Sequence, residues 1–146
     1  ELNPLRGRYY QNLGLIYAKA GLFDEAIMNL ETSAQKQVGI PVAAQRAARI
    51  NRDRGNNAQA LFWYEEALKR EPYGPLLLAE AASFYNSIGE EERMYDRLIR
   101  YESLGNRALF GPITLAYKML GDFEKADRIC ERKDLTGSSA IWEAQC

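Results

Sequence analysis

The carboxylates of this chain come in adjacent groups, Asp24/Glu25, Glu65/Glu66 and Glu90 to Glu92, and acid–base chemistry uses that residue type in pairs. Such a pair works only when two carboxyls face each other across a cleft and their proton affinities diverge. Sequence neighbours on a helix point in different directions, so these groups read as solvated faces and helix starts. The 146 residues include no histidine, which removes the commonest general base, the commonest zinc ligand and every Ser–His or Cys–His dyad. Cys130 and Cys146, the two cysteines, stand sixteen positions apart with no CxxC and no ligand cluster beside them. Cys130 falls at a helical core position, where a buried thiol is ordinary packing. There is no glycine-rich phosphate loop, EF-hand loop or HExxH pattern, and Asn56-Asn57 reads as turn chemistry. The expectation is a chain with no catalytic residues, no metal site and no cofactor.

What remains is binding. Hydrophobic residues make up 47% and charged residues 27%, a balance that buries a core and argues against disorder. The net charge of −1 and the pI of about 5.6 lack the positive excess of a dedicated nucleic-acid binder, so no nucleic acid is expected as a partner. No stretch approaches the length of a membrane span, and no basic-then-apolar leader is present. These features point to a soluble chain, with the cytoplasm favoured over an oxidising compartment.

The elements that position any binding residue are set by four glycines. Gly21, Gly55, Gly89 and Gly121 are separated by 34, 34 and 32 residues. A period near 34 with a glycine between two helical patterns marks stacked helix–turn–helix units. Seven residues before each glycine stand Gly14, Ala48, Ala82 and Thr114; four before stand Tyr17, Asn51, Tyr85 and Tyr117; eleven before stand Tyr10, Ala44, Leu78 and Phe110. Five after come Ala26, Ala60, Met94 and Ala126, and nine after come Leu30, Tyr64, Leu98 and Cys130. The first three offsets form one stripe of a helix and the last two the matching stripe of a second. Small residues at −7 and +5 let the two backbones approach closely, and the aromatics fill the space beside them. Each glycine ends the first helix by taking positive φ. Asp24 and Asp122 sit near the following helix starts, where a carboxylate suits the dipole. Phe62-Trp63-Tyr64 cannot all face one core, so one of these aromatics is exposed or lies between repeats.

This pattern resembles the tetratricopeptide repeat family. The match is carried by Asn12-Leu13-Gly14-Leu15-Ile16-Tyr17 with Gly21-Leu22-Phe23-Asp24-Glu25-Ala26, by Gly55, Ala60, Tyr64, Ala67 and Pro72, and by Leu115-Ala116-Tyr117 with Gly121-Asp122-Phe123 and Ala126. The third repeat departs from it: Met94 replaces a small residue, and the unit is two residues short. Pro112 is comfortable only in a first helical turn, so the first helix of the fourth repeat is expected to begin around Gly111 or Pro112. The resemblance implies an all-α fold, a right-handed superhelical solenoid of tandem antiparallel helix–turn–helix repeats. Residues 1–146 read as a single domain with repeats at approximately 7–40, 41–74, 75–106 and 107–138. Residues 139–146 read as the start of a capping helix or a further repeat, with Ser138 and Ser139 as helix-start residues and Trp142 as its aromatic. Pro4 lies 17 residues before Gly21, as Pro72 lies 17 before Gly89, so the first residues read as the tail of an upstream repeat within a longer protein.

In that family the first helix of each repeat lines a concave groove where extended peptides lie. The residues that the resemblance places there are Arg8, Gln11 and Lys19, then Gln45, Arg49 and Arg52 with Asp53 at their edge, then Ser83 and Asn86, and finally Lys118, with Leu15, Ala79 and Leu115 between them. This lining is net positive, and arginine offers a bidentate fork to carboxylates. The expected partner is therefore a protein or peptide carrying acidic residues. Relatives that hold chaperone tails use a lysine–asparagine set that Gln11 and Leu15 do not supply. Exposed repeat ends would also allow self-association. The function implied is a non-catalytic scaffold for protein–protein interaction. The second reading is a soluble appendage of a larger enzyme, such as a membrane-bound glycosyltransferase.

Overall fold

Each of the four glycines ends a helix in the same way. In the computed structural model, which describes residues 4–131, Gly21, Gly55, Gly89 and Gly121 have φ of 77, 77, 75 and 78°. A side chain in that left-handed region costs roughly 1–2 kcal/mol, which glycine escapes. The turn lets the amide after each glycine reach back to the carbonyl four residues before it. Leu22 donates to Tyr17 and Glu90 to Tyr85 at 2.9 Å, Asn56 to Asn51 at 2.8 Å, and Asp122 to Tyr117 at 2.9 Å. The glycine amides close the inner bond, as Gly55 does to Arg52 at 3.0 Å. These are Schellman caps, and they satisfy carbonyls that a helix end leaves open.

The helices so delimited are α1 (Pro4–Lys19), α2 (Phe23–Lys36), α3 (Val42–Asp53), α4 (Asn57–Arg70), α5 (Pro75–Ser87), α6 (Glu91–Ser103), α7 (Phe110–Met119) and α8 (Phe123–Cys130). A short 3-10 turn, Arg107–Leu109, precedes α7, and no strand occurs among the described residues. The fold is thus an all-α helical repeat. The helices fall into two compact units, divided after Pro72.

In the first unit α1 packs on α2, α2 on α3, and α3 on α4. A Cβ on Gly14 would lie 2.7 Å from Leu30 Cγ and 3.2 Å from the Ala26 carbonyl, so only glycine allows this approach of α1 to α2. Near the other end of the pair, Ser33 Oγ donates to the Gly7 carbonyl at 2.7 Å. Helix α3 is buried through Ala43, Ala44, Ala47 and Ala48, a face small enough for close helix packing. Asn51, which stands where the other repeats have tyrosine, is buried and satisfied: its Nδ2 donates to the Ala47 carbonyl, and its Oδ1 accepts from Asn56. Of the aromatic triplet on α4, Trp63 and Tyr64 are buried and Phe62 is exposed. Trp63 Nε1 donates to Glu31 of α2 at 2.8 Å, tying the second helices of the two repeats together.

In the second unit α5 packs most extensively on α7, with α6 against both and α8 on α7. Pro112 falls in the first turn of α7, which starts at Phe110, slightly earlier than expected. Met94 is fully buried and fills the place of a smaller residue. Gly105, a glycine outside the repeat pattern, also takes positive φ, at 63°, where α6 ends. Thr114 is fully buried at the small-residue position, and its hydroxyl has no hydrogen-bond partner among the described residues. At the expected buried position of α8 the structure puts Ile129, whereas Cys130 is half-buried and is not a free thiol. The readings of residues 1–3 as an upstream tail and of Ser138 to Trp142 as a further helix lie outside the described residues.

Asp122 caps α8, accepting from the Lys125 amide at 3.0 Å, from Lys125 Nζ at 2.7 Å and from Tyr95 Oη at 3.0 Å. Burial alone would raise its pKa, but these hydrogen bonds and the Lys125 charge hold it below its ordinary value of 3.8. A depressed folded pKa contributes stability above the unfolded value, and that contribution is lost as pH falls through the folded value. Asp122→Ala is therefore expected to cost about 1–2 kcal/mol at neutral pH. The difference from the parent should shrink progressively below about pH 4. Urea denaturation at pH 7 and pH 3 checks this, and a cost independent of pH would locate the effect in packing instead.

Candidate protein-binding site

The two first helices of the first unit carry a one-sided charge. Helices α1 and α3 contain Arg6, Arg8, Lys19, Arg46, Arg49 and Arg52 against a single carboxylate, Asp53. The second helix α2 instead carries Asp24, Glu25 and Glu31 against Lys36. The burial of α3 explains how its own arginines come to point outward. Its alanines face the neighbouring helices, which turns Gln45, Arg46, Arg49 and Arg52 outward.

Between α1 and α3 lies a cleft of about 230 Å³ lined by Leu15, Ala18, Leu30, Arg46, Arg49 and Ile50. Leu30 is fully buried at its base, while Leu15, Ala18, Arg46 and Ile50 are half-exposed. The structure thus brings Leu15 and Arg49 together. Arg52 is turned to other work: its Nε lies 2.9 Å from Asp53 Oδ1, and its Nη1 donates to Tyr64 Oη at 3.0 Å. Arg8 and Lys19 are both exposed but stand eleven residues apart on α1, roughly 16 Å along the axis. Gln11 and Gln45 are half-buried. Ser83 and Asn86 are exposed one turn apart on α5, and Lys118 is half-exposed near the end of α7.

Sequence reasoning missed Arg46, Ala18 and Ile50. The signal was present for the first, because Arg46, Arg49 and Arg52 recur every third residue and so form one ridge of α3. Arg46 makes no hydrogen bond or ion pair among the described residues. By contrast, Arg54 lies 3.4 Å from Asp24 and stacks over Phe23 at 5.5 Å.

A larger hollow of about 570 Å³ beside α8 is lined among the described residues by Asp122, Glu124, Lys125, Asp127, Arg128 and Glu131. We do not place the site there, because its charges are mixed and its principal groups are internally engaged. Asp122 is held as above, Lys125 also sits over the Tyr95 ring at 4.4 Å, and Arg128 lies 3.9 Å from Glu102. Glu102 in turn accepts from Tyr117 Oη, and burial together with that bond pushes the Tyr117 pKa up. Tyr95 is raised in the same sense, by burial and by its bond to Asp122. No group of His, Cys, Asp or Glu among the described residues is arranged to hold a metal. No described helix is long and apolar enough to cross a membrane.

Capped antiparallel hairpins repeating every 34 residues, with small residues at their contacts, define a helical-repeat protein. The sequence model of the tetratricopeptide repeat matches residues 7–35, which lie within the hairpin of α1 and α2. Two crystal structures of MamA share the fold. One superposes with a TM-score of 0.57 at 19% identity, covering 87% of this chain and 75% of that one. The other gives 0.57 and 19%, covering 88% and 71%. No curated protein matches the chain.

Proposed function

We propose that this chain is a non-catalytic protein-interaction module, and that the first helices of its first unit hold an acidic protein segment. One observation carries the reading: six cations against one carboxylate on α1 and α3 of a chain whose net charge is −1. A pair of helices so biased raises the local concentration of anionic segments and selects against basic ones. Arginine is the suitable cation, because its planar fork grips a carboxylate with two parallel hydrogen bonds. The reading extends to the exposed Ser83 and Asn86 of α5 and to Lys118 of α7 as polar contacts for the same class of partner.

The test is selection of a displayed random-peptide library on the wild-type chain and on an Arg8→Glu, Arg49→Glu variant of verified helicity. Arg52 is left alone because it braces Tyr64. Selected peptides should be rich in Asp and Glu and should bind more weakly as salt is raised, since exposed charges are screened within about 8 Å at physiological ionic strength. The variant should lose at least about tenfold in affinity. Peptides without an acidic excess, or equal binding by the variant, would sink the proposal.

A further inference from the structure

We infer that the cleft between α1 and α3 is a two-part subsite: it takes one aliphatic side chain of a protein segment and holds the neighbouring Asp or Glu carboxylate on Arg46. This inference rests on the reading of the first-helix face as a protein-binding surface, and it narrows that reading to the chemistry of the occupant.

The size of the cleft comes first. At about 230 Å³ it is smaller than the roughly 300–1,000 Å³ of pockets that enclose a drug-sized ligand or cofactor, and it suits a side chain. Its origin lies in the repeat. Ala18 and Arg52 occupy the same place, three residues before Gly21 and Gly55, so α1 puts a methyl group where α3 puts an arginine. The gap beside Ala18 is walled by Leu15 and Ile50 and floored by Leu30, so an aliphatic side chain entering it removes apolar surface from water on both partners.

The charge beside that gap is equally specific. Among the described residues Arg46 and Arg49 are the polar ones that line the cleft, and no carboxylate lines it. Arg46 is half-buried against the apolar wall and makes no ion pair or hydrogen bond among the described residues. A guanidinium beside low-polarity walls attracts a carboxylate more strongly than one standing in open water. Charge complementarity therefore selects an acidic segment, and the apolar floor selects an aliphatic residue beside the acid. An all-acidic stretch would leave the floor uncovered, and a purely apolar one would leave Arg46 unmatched.

The experiment is an NMR titration of the ¹⁵N-labelled chain with an acetylated, amidated Gly-Asp-Leu-Glu-Gly peptide. Saturable shifts are expected at the amides of Leu15, Ala18, Arg46 and Ile50. Arg46→Glu should weaken binding at least about tenfold by reversing the charge. Ala18→Leu, which fills the gap and leaves every charge in place, should do the same. Ala18 is half-exposed, so this variant should keep its helicity, as circular dichroism would confirm. Control peptides with Gln for both acids, or Ser for Leu, should bind correspondingly less. If the peptide binds both variants within twofold of the parent, with shifts on other first-helix residues such as Arg8, the subsite is overturned while the interaction reading stands. Equal binding of the Gln or Ser peptide also overturns the subsite, and so does the absence of any saturable shift. The peptide selection then judges the broader reading independently.

Discussion

Replacing Phe110 with alanine should cost the second unit about 3–5 kcal/mol, the range for truncating a large buried aromatic. Phe110 is 1% exposed, and it opens α7, the helix that packs most extensively against α5. Leu109 and Ile113 are buried on either side of it, and Thr114 follows them with a buried hydroxyl that has no partner among the described residues. Domains of this size are typically stable by only about 5–15 kcal/mol, and a loss of this order removes much of that margin. Urea denaturation followed by circular dichroism measures the loss, with the slope compared to check that the same surface unfolds. Hydrogen exchange should show the lost protection in the amides of α5 and α7. Phe110→Leu, which keeps most of the volume, should cost less than about 1.5 kcal/mol. A loss below 1 kcal/mol for the alanine variant would mean that the α5–α7 contact does not depend on this ring.

Replacing Gly14 with leucine should cost the first unit about 2–3 kcal/mol. Overpacking a filled core typically costs about 1–3 kcal/mol, occasionally more, and better helix propensity returns somewhat less than 1 kcal/mol. The upper end applies because the added Cβ would stand 2.7 Å from Leu30 Cγ and 3.2 Å from a backbone carbonyl, and a buried leucine and a helix backbone have little freedom to move. A double-mutant cycle gives the sharper form. Gly14→Ala should be harmful alone and less so in a Leu30→Ala background, because the second change removes the two closest atoms that the first one meets and leaves the Ala26 carbonyl. Additive effects would place the strain elsewhere. The lost protection should fall in the amides of α1 and α2.

The sequence was read most accurately where one backbone requirement recurs. Four glycines spaced by 34, 34 and 32 residues located four Schellman caps, because positive φ admits few other residues. The small residues at −7 and +5 located the helix contacts for a related reason, since Cβ size limits backbone approach. All eight are buried, including Met94 and Thr114, which are larger than the pattern prefers. Only at the ends of the array did the stripe blur: Tyr10 and Tyr17 are half-buried, and Ile129 is buried where Cys130 was expected. On the outer side of α1, Leu5, Tyr9 and Ile16 are exposed at 73, 61 and 63%.

The candidate site was legible to a lesser degree. Periodicity shows which residues point away from the core, and Arg49 and Arg8 are exposed as it expects, whereas Gln45 is half-buried. It does not show which outward side chains find partners. Arg52 and Arg46 are both arginines of one ridge, yet Arg52 is engaged by Asp53 and Tyr64 while Arg46 stands beside an open cleft and makes no ion pair or hydrogen bond among the described residues. The sequence by itself determined the repeat, the caps and the sign of charge on α1 and α3, because each depends on residue type at a fixed local spacing. Only the tertiary structure decided where the cleft lies and which arginine serves it, because both depend on side chains brought together from α1, α2 and α3, up to 35 residues apart in the chain.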